Sequence, residues 1–173
     1  VIDMNGIFSS TSFNQALNNW DVSNVTDMEL MFYNANNFNQ ALNNWDVSNV
    51  TNMGWMFYNT KSFNQALNNW DVSNVTNMSG MFRNAEKFNQ ALNNWNVSSV
   101  TNMSGMFKYA GFTKMTTLNL GANFNTSKVT NMSSMFNYTG YTAMTGLNLG
   151  SAFHTNKVTN MSAMFGETGY TAM

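Results

Sequence analysis

The side chains suited to acid–base or metal chemistry are few, and the most suggestive are three aspartates spaced by 25 residues, Asp21, Asp46 and Asp71. Stacked carboxylates repel one another, and a hard cation such as Ca2+ would relieve that repulsion through oxygen ligands. The same column continues, however, as Asn96, Asn125 and His154. An Asp-to-Asn exchange keeps the shape and the acceptor but drops the charge. The column therefore reads as a backbone-bonded or solvent-facing position rather than an ion site. His154 is the one histidine, has no acidic partner nearby in the sequence, and reads as a surface residue. The absence of cysteine removes thiolate ligands, disulfides and a cysteine nucleophile, and a lone histidine leaves little for a Ser/His/Asp triad. The expectation is a chain with no catalytic residues, no metal and no cofactor.

The elements that position these columns follow from repetition. The 173 residues are 43% hydrophobic and 14% aromatic but only 9% charged, with a formal net charge of −1 and no proline; 33 are asparagine. Seven basic residues against eight acidic ones cannot make the positive field that nucleic-acid binding requires. No apolar run reaches the roughly 18–20 residues of a membrane span. Phe13, Phe38, Phe63 and Phe88 are 25 apart, as are Trp20, Trp45, Trp70 and Trp95. After Phe107 the period becomes 29, as Val100, Val129 and Val158 show. The expected organisation is one array over residues 1–173, with 25-residue units over 1–107 and 29-residue units over 108–173. Residues 1–8 align with 25–32, and residues 169–173 with 140–144. Both ends therefore read as cuts in a longer array that lacks its polar caps.

Within one unit, Leu17, Trp20 and Val22 are spaced as L-x-x-L-x-L, and Trp20 and Val22 alternate with Asn19 and Asp21. That period predicts a short strand with one buried face. Val25, Met28, Met31 and Phe32 fall at i, i+3, i+6 and i+7, the stripe of one to two helical turns, and Thr26 and its copies stand where a hydroxyl caps a helix. Such a unit cannot bury its own apolar face, but coils stacked about 4.8 Å apart can. The predicted fold class is an α/β repeat, a right-handed leucine-rich-repeat-like solenoid with a parallel β-sheet on one face and short helical turns on the other. The Trp column should form an internal ladder continued by Phe124 and Phe153, with Met and Phe filling the opposite wall. Leu118 and Leu120, like Leu147 and Leu149, also alternate as strand, either extending the same strand or opening another.

The string L-x-x-W-x-V-x-x-V-x-x-M-x-x-M-F resembles the leucine-rich repeat in its BspA-like form, and WDVSNVTNMSGMF is similar to the roughly 25-residue repeat of bacterial surface proteins. The resemblance implies a solenoid on secreted or lipid-anchored proteins, hence an extracellular, cell-surface location and a role in binding host or neighbouring surfaces. It carries no catalytic residues. The expected function is a non-enzymatic adhesion module recognising protein or glycan, with no nucleic acid and no membrane insertion. The alternative is a spacer or a self-assembling filament subunit, homo-oligomeric through its open ends. The candidate binding residues are the outward strand positions Asn19, Asp21, Asn44, Asp46, Asn69, Asp71, Asn94 and Asn96. Their amides either present a polar, nearly uncharged surface to a glycan or protein, or bond to one another in ladders up the stack.

Overall fold

The computed structural model describes residues 2–169; Val1 and residues 170–173, where the array was read as cut, lie outside the described residues. The repeat builds a stack of coils, yet each coil is made of turns. Among the described residues there is no helix, and the strands are β1 (Thr117–Asn119) and β2 (Gly146–Asn148), paired in parallel with Leu118 opposite Leu147. The predicted α/β solenoid, with a sheet on one face and helical turns on the other, is therefore incorrect, for a different reason in each half of the coil.

In the supposed helix, the amides of Met28, Leu30, Phe32 and Asn34 leave their own coil. They donate to the carbonyls of Asn52, Gly54, Met56 and Tyr58 in the next one, at 2.8–3.0 Å. The amides between them, of Met31, Tyr33 and Ala35, donate back three residues to Met28, Leu30 and Phe32. An α-helix needs consecutive amides to reach i−4 carbonyls, and here every second amide is committed to a neighbouring coil. The backbone follows suit: Leu30 and Asn34 have φ of 56° and 58°, and Trp55 and Asn59, Gly80 and Asn84, and Gly105 and Tyr109 repeat the pair. A left-handed residue at the third position of a four-residue turn is type II geometry, and its recurrence every four residues interrupts any helix.

The Thr hydroxyls expected to cap helices bridge coils instead. Thr51 gives the Thr26 carbonyl both its amide, at 2.9 Å, and its hydroxyl, at 3.1 Å, and Thr76, Thr101, Thr130 and Thr159 do the same to the Thr before them. The next residue forms a parallel bridge column running Asp3, Asp27, Asn52, Asn77, Asn102, Asn131, Asn160. Its side-chain oxygens accept the amide two residues on, as Asn52 does from Gly54 at 3.1 Å, the local bond that Asn and Asp make when a turn opens.

In the supposed strand half, side chains join the coils. The indole N–H groups of Trp45, Trp70 and Trp95 donate to the carbonyls of Leu17, Leu42 and Leu67 at 2.9–3.0 Å. The amides of Asn39, Asn64 and Asn89 donate to the side-chain oxygens of Asn14, Asn39 and Asn64. Backbone groups that would pair in a sheet are thus held by Asn and Trp, and residues 45–47 run between two tight turns without forming a strand. β1 and β2 are consequently a separate element rather than an extension. The four added residues of the longer units form a turn in which the Met115 and Met144 amides close onto Gly111 and Gly140.

One apolar cluster runs from Met4 to Met164 through both unit lengths. Its axis is a file of rings: Phe32, Phe57, Phe82, Phe107 and Phe136 stack at 5.6–5.7 Å within 10° of parallel. Trp45, Trp70, Trp95 and Phe124 are buried beside them, Phe153 is partly buried, and Trp20 is 42% exposed.

Candidate binding surface

The predicted positions Asn19, Asp21, Asn44, Asp46, Asn69, Asp71, Asn94 and Asn96 are all exposed. Of these, Asn69, Asp71, Asn94 and Asn96 meet around one shallow depression with Asn68 and Trp70. The acidic column is turned inward on its own loops. Asp21 accepts both the hydroxyl of Ser23, at 2.6 Å, and its amide, at 3.0 Å, and Asp46 treats Ser48 alike. Asp71 and Asn96 accept the amides of Ser73 and Ser98. The serine hydroxyl first and its amide second hold the Asp21 and Asp46 carboxyls below the usual carboxylate value. A carboxylate and an amide oxygen serve this turn equally, which is why Asp and Asn interchange in the column. Among the described residues no group of three or more His, Cys, Asp or Glu side chains is placed to hold a metal ion.

Asparagine ladders do climb the stack, but in other columns. Asn77 Nδ2 donates to Asn52 Oδ1 at 3.0 Å, Asn59 Nδ2 to Asn34 Oδ1 at 2.9 Å, and Gln40, Gln65 and Gln90 donate to Asn14, Asn39 and Asn64. The Asn44 side chain instead accepts from its neighbour Asn43, at 3.2 Å.

A second face, formed by the turns after the bridge column, escaped the sequence reading. Tyr33 and Tyr58 stack at 4.6 Å, and Trp55 meets Tyr58 edge-on at 5.3 Å. Further along, Tyr109 stacks on Tyr138 at 4.7 Å and Phe112 on Tyr141 at 5.0 Å. All of these rings are half-buried. Two depressions open among them, one lined by Ser9, Glu29, Leu30, Tyr33 and Trp55, the other by Asn59, Lys61, Asn84, Glu86, Tyr109 and Phe112.

The signal for this face was present as difference between coils. Residues 38–53 and 63–78 are the same sixteen letters, FNQALNNWDVSNVTNM, whereas the turn segments beside them read ELMFYNANN at 29–37, GWMFYNTKS at 54–62 and SGMFRNAEK at 79–87. The constant wall holds the Asn and Trp bonds between coils; the varied turns hold the half-exposed aromatic and basic groups. A family model described as "Mycoplasma protein of unknown function, DUF285" matches residues 2–119 and again 111–170. No curated protein and no solved structure matches the chain.

Proposed function

The chain belongs to the DUF285 family of Mycoplasma proteins of unknown function, whose model spans most of it, and from that premise we propose that it is a non-enzymatic binding module displayed outside the cell. It would recognise a protein or glycan on a host or neighbouring cell, and its repeat would be a relative of the BspA-like leucine-rich surface repeats. One observation carries this reading: on the nearly invariant wall side chains of Asn and Trp make the coil-to-coil bonds, whereas on the turn segments backbone amides make most of them, which leaves side chains such as Tyr33, Tyr58, Arg83 and Lys108 free to differ from coil to coil. Tyr33, Tyr58, Arg83 and Lys108 occupy equivalent positions on four successive coils, and Tyr, Trp and Arg are the types that dominate binding energy at interfaces. The Asn/Asp face, including Asn19, Asp21, Asn44 and Asp46, serves in this reading as a second, weaker polar surface.

A panel of immobilised glycans and matrix proteins tests the reading. Saturable binding to at least one is expected; uniformly null binding by a folded array contradicts it, as would hydrolysis of a surface polymer that is lost in Asp46→Asn or Asp71→Asn. A second reading, a spacer or filament subunit, draws on the polarity of the turn ladder, in which the amides of each coil point to the coil that follows. Two copies joined through that ladder would stack only head to tail. Avid self-association together with null binding would favour it.

A further inference from the structure

Arg83 and Lys108 are neighbours on the turn face in a way that ordinary packing does not require. They stand at the same position of consecutive coils, and the Asn84 amide, bonded to the Lys108 carbonyl at 2.9 Å, fixes the register there. The Arg83 guanidinium carbon lies 5.6 Å from the Trp55 ring and 5.8 Å from the Tyr58 ring, and Lys108 Nζ lies 5.6 Å from the Tyr109 ring. Aromatic faces orient cations, but they do not neutralise them.

Among the described residues the ion pair is Lys61 with Glu86, at 3.1 Å, so neither Arg83 nor Lys108 has a carboxylate partner. Arg83 Nε is moreover buried with no hydrogen-bond acceptor, so the protein itself leaves part of the guanidinium's donor set unsatisfied. Burial first, and Arg83 second, hold the Lys108 ammonium below the usual lysine range. In a chain of net charge −1 this is a local concentration of positive charge. There is also room beside it. Trp55 covers Gly80, but at Gly105 an added Cβ would come no closer than 4.0 Å to Arg83 Cδ or Lys108 Cβ.

The bonding and the lining of the face bear on the kind of anion. Tyr33 with Tyr58, and Tyr109 with Tyr138, stack at 4.6–4.7 Å across consecutive coils and lay ring surface along the face. Alternate amides of the turn backbone are already bonded between coils, so no peptide strand can pair along it. Asn59, Asn84, Tyr109 and Phe112 line the adjacent depression together with the Lys61–Glu86 ion pair, whose charges offset each other, and offer amides, a hydroxyl and ring surface to sugar hydroxyls and C–H groups. We propose that Arg83 and Lys108 form a binding site for the carboxylate or sulfate group of an acidic saccharide, which rests on the binding-module reading above and names its ligand class.

Calorimetric titration with four probes tests the site: sulfated maltohexaose, hexagalacturonate, neutral maltohexaose and hexaglutamate. The expected result is binding of the sulfated or the carboxylated oligosaccharide, which assigns the group, and none of the neutral one. Arg83→Gln and Lys108→Gln should each weaken that binding at least roughly tenfold, while Lys128→Gln leaves it unchanged. Melting curves confirm that each variant is folded, and Lys108→Gln alone decides the matter if Arg83→Gln is not. The site is overturned if neither acidic saccharide binds, if both Gln variants bind as the parent does, or if hexaglutamate binds equally well. Surface binding of the array that survives both Gln variants would leave the binding-module reading standing and remove this site.

Discussion

At Gly80 the backbone has φ of +60°, and an added Cβ would sit 2.7 Å from the Trp55 ring. At Gly105 φ is +61° but the nearest atoms are 4.0 Å away. Both positions resist a side chain through the left-handed backbone, which costs about 1–2 kcal/mol for a non-glycine residue, and Gly80→Ala must in addition displace Trp55. Chemical denaturation should therefore rank Gly80→Ala as more destabilising than Gly105→Ala, and equal losses would mean that Trp55 is not seated over Gly80. The Asp46–Ser48 bond makes a pH-dependent prediction. Its folded carboxyl lies below the usual value, so its contribution to stability is present above the ordinary carboxylate range and is lost as pH falls through the lowered value. Ser48→Ala removes the largest cause and should move the Asp46 titration upward in an NMR pH series; an unmoved Asp46 would show that the hydroxyl does not hold it.

The element that matters most is the turn ladder, and it is where sequence reasoning went astray. Val25, Met28, Met31 and Phe32 are all buried, so the apolar stripe is core. Its spacing suits a helix and a series of four-residue turns equally well, because both bring every third or fourth side chain to one side. Two physical facts favour turns. A helix of about eight residues has a costly nucleus, and the adjacent coil offers carbonyls to every second amide. The distinguishing signal was Asn or Gly, residues that tolerate positive φ, at one or both of two positions four apart: Gly80 and Asn84 fill both, and Asn34 and Asn59 fill the second, after Leu30 and Trp55. The coil period and the Asp/Asn equivalence were legible for the opposite reason: each depends on one side chain meeting its own copy or its own loop. The turn face was not legible from motifs, since its equivalent positions carry different residues from coil to coil, as Tyr33, Tyr58, Arg83 and Lys108 do. Far-UV circular dichroism of the array is expected to lack the helical double minimum, and a strong one would contradict the turn ladder. Asn84→Gly should preserve stability where Asn84→Ala, at φ of 60°, loses about 1 kcal/mol.

At the scale of the whole molecule, each coil touches chiefly the coils before and after it, so stability is a chain of neighbour terms. Phe82 stacks between Phe57 and Phe107 and is fully buried. Phe82→Ala should cost about 3–5 kcal/mol and, by weakening the central junction, broaden or split the denaturation transition. A sharp, unshifted transition would mean that the file of rings does not couple the coils. On the wall side chains bond the coils, on the turn face the backbone largely does so and the side chains vary, and the proposed binding is placed on that face. The direct measurement compares two surface variants against whichever ligand the panel identifies. One replaces Tyr33, Trp55, Tyr58, Arg83 and Lys108 with serine; the other replaces Asp21, Asp46, Asp71 and Asn96 with serine. If the turn face is the site, the first loses binding while both remain folded and the second binds nearly as the parent does; binding that survives the first and disappears in the second would contradict the account.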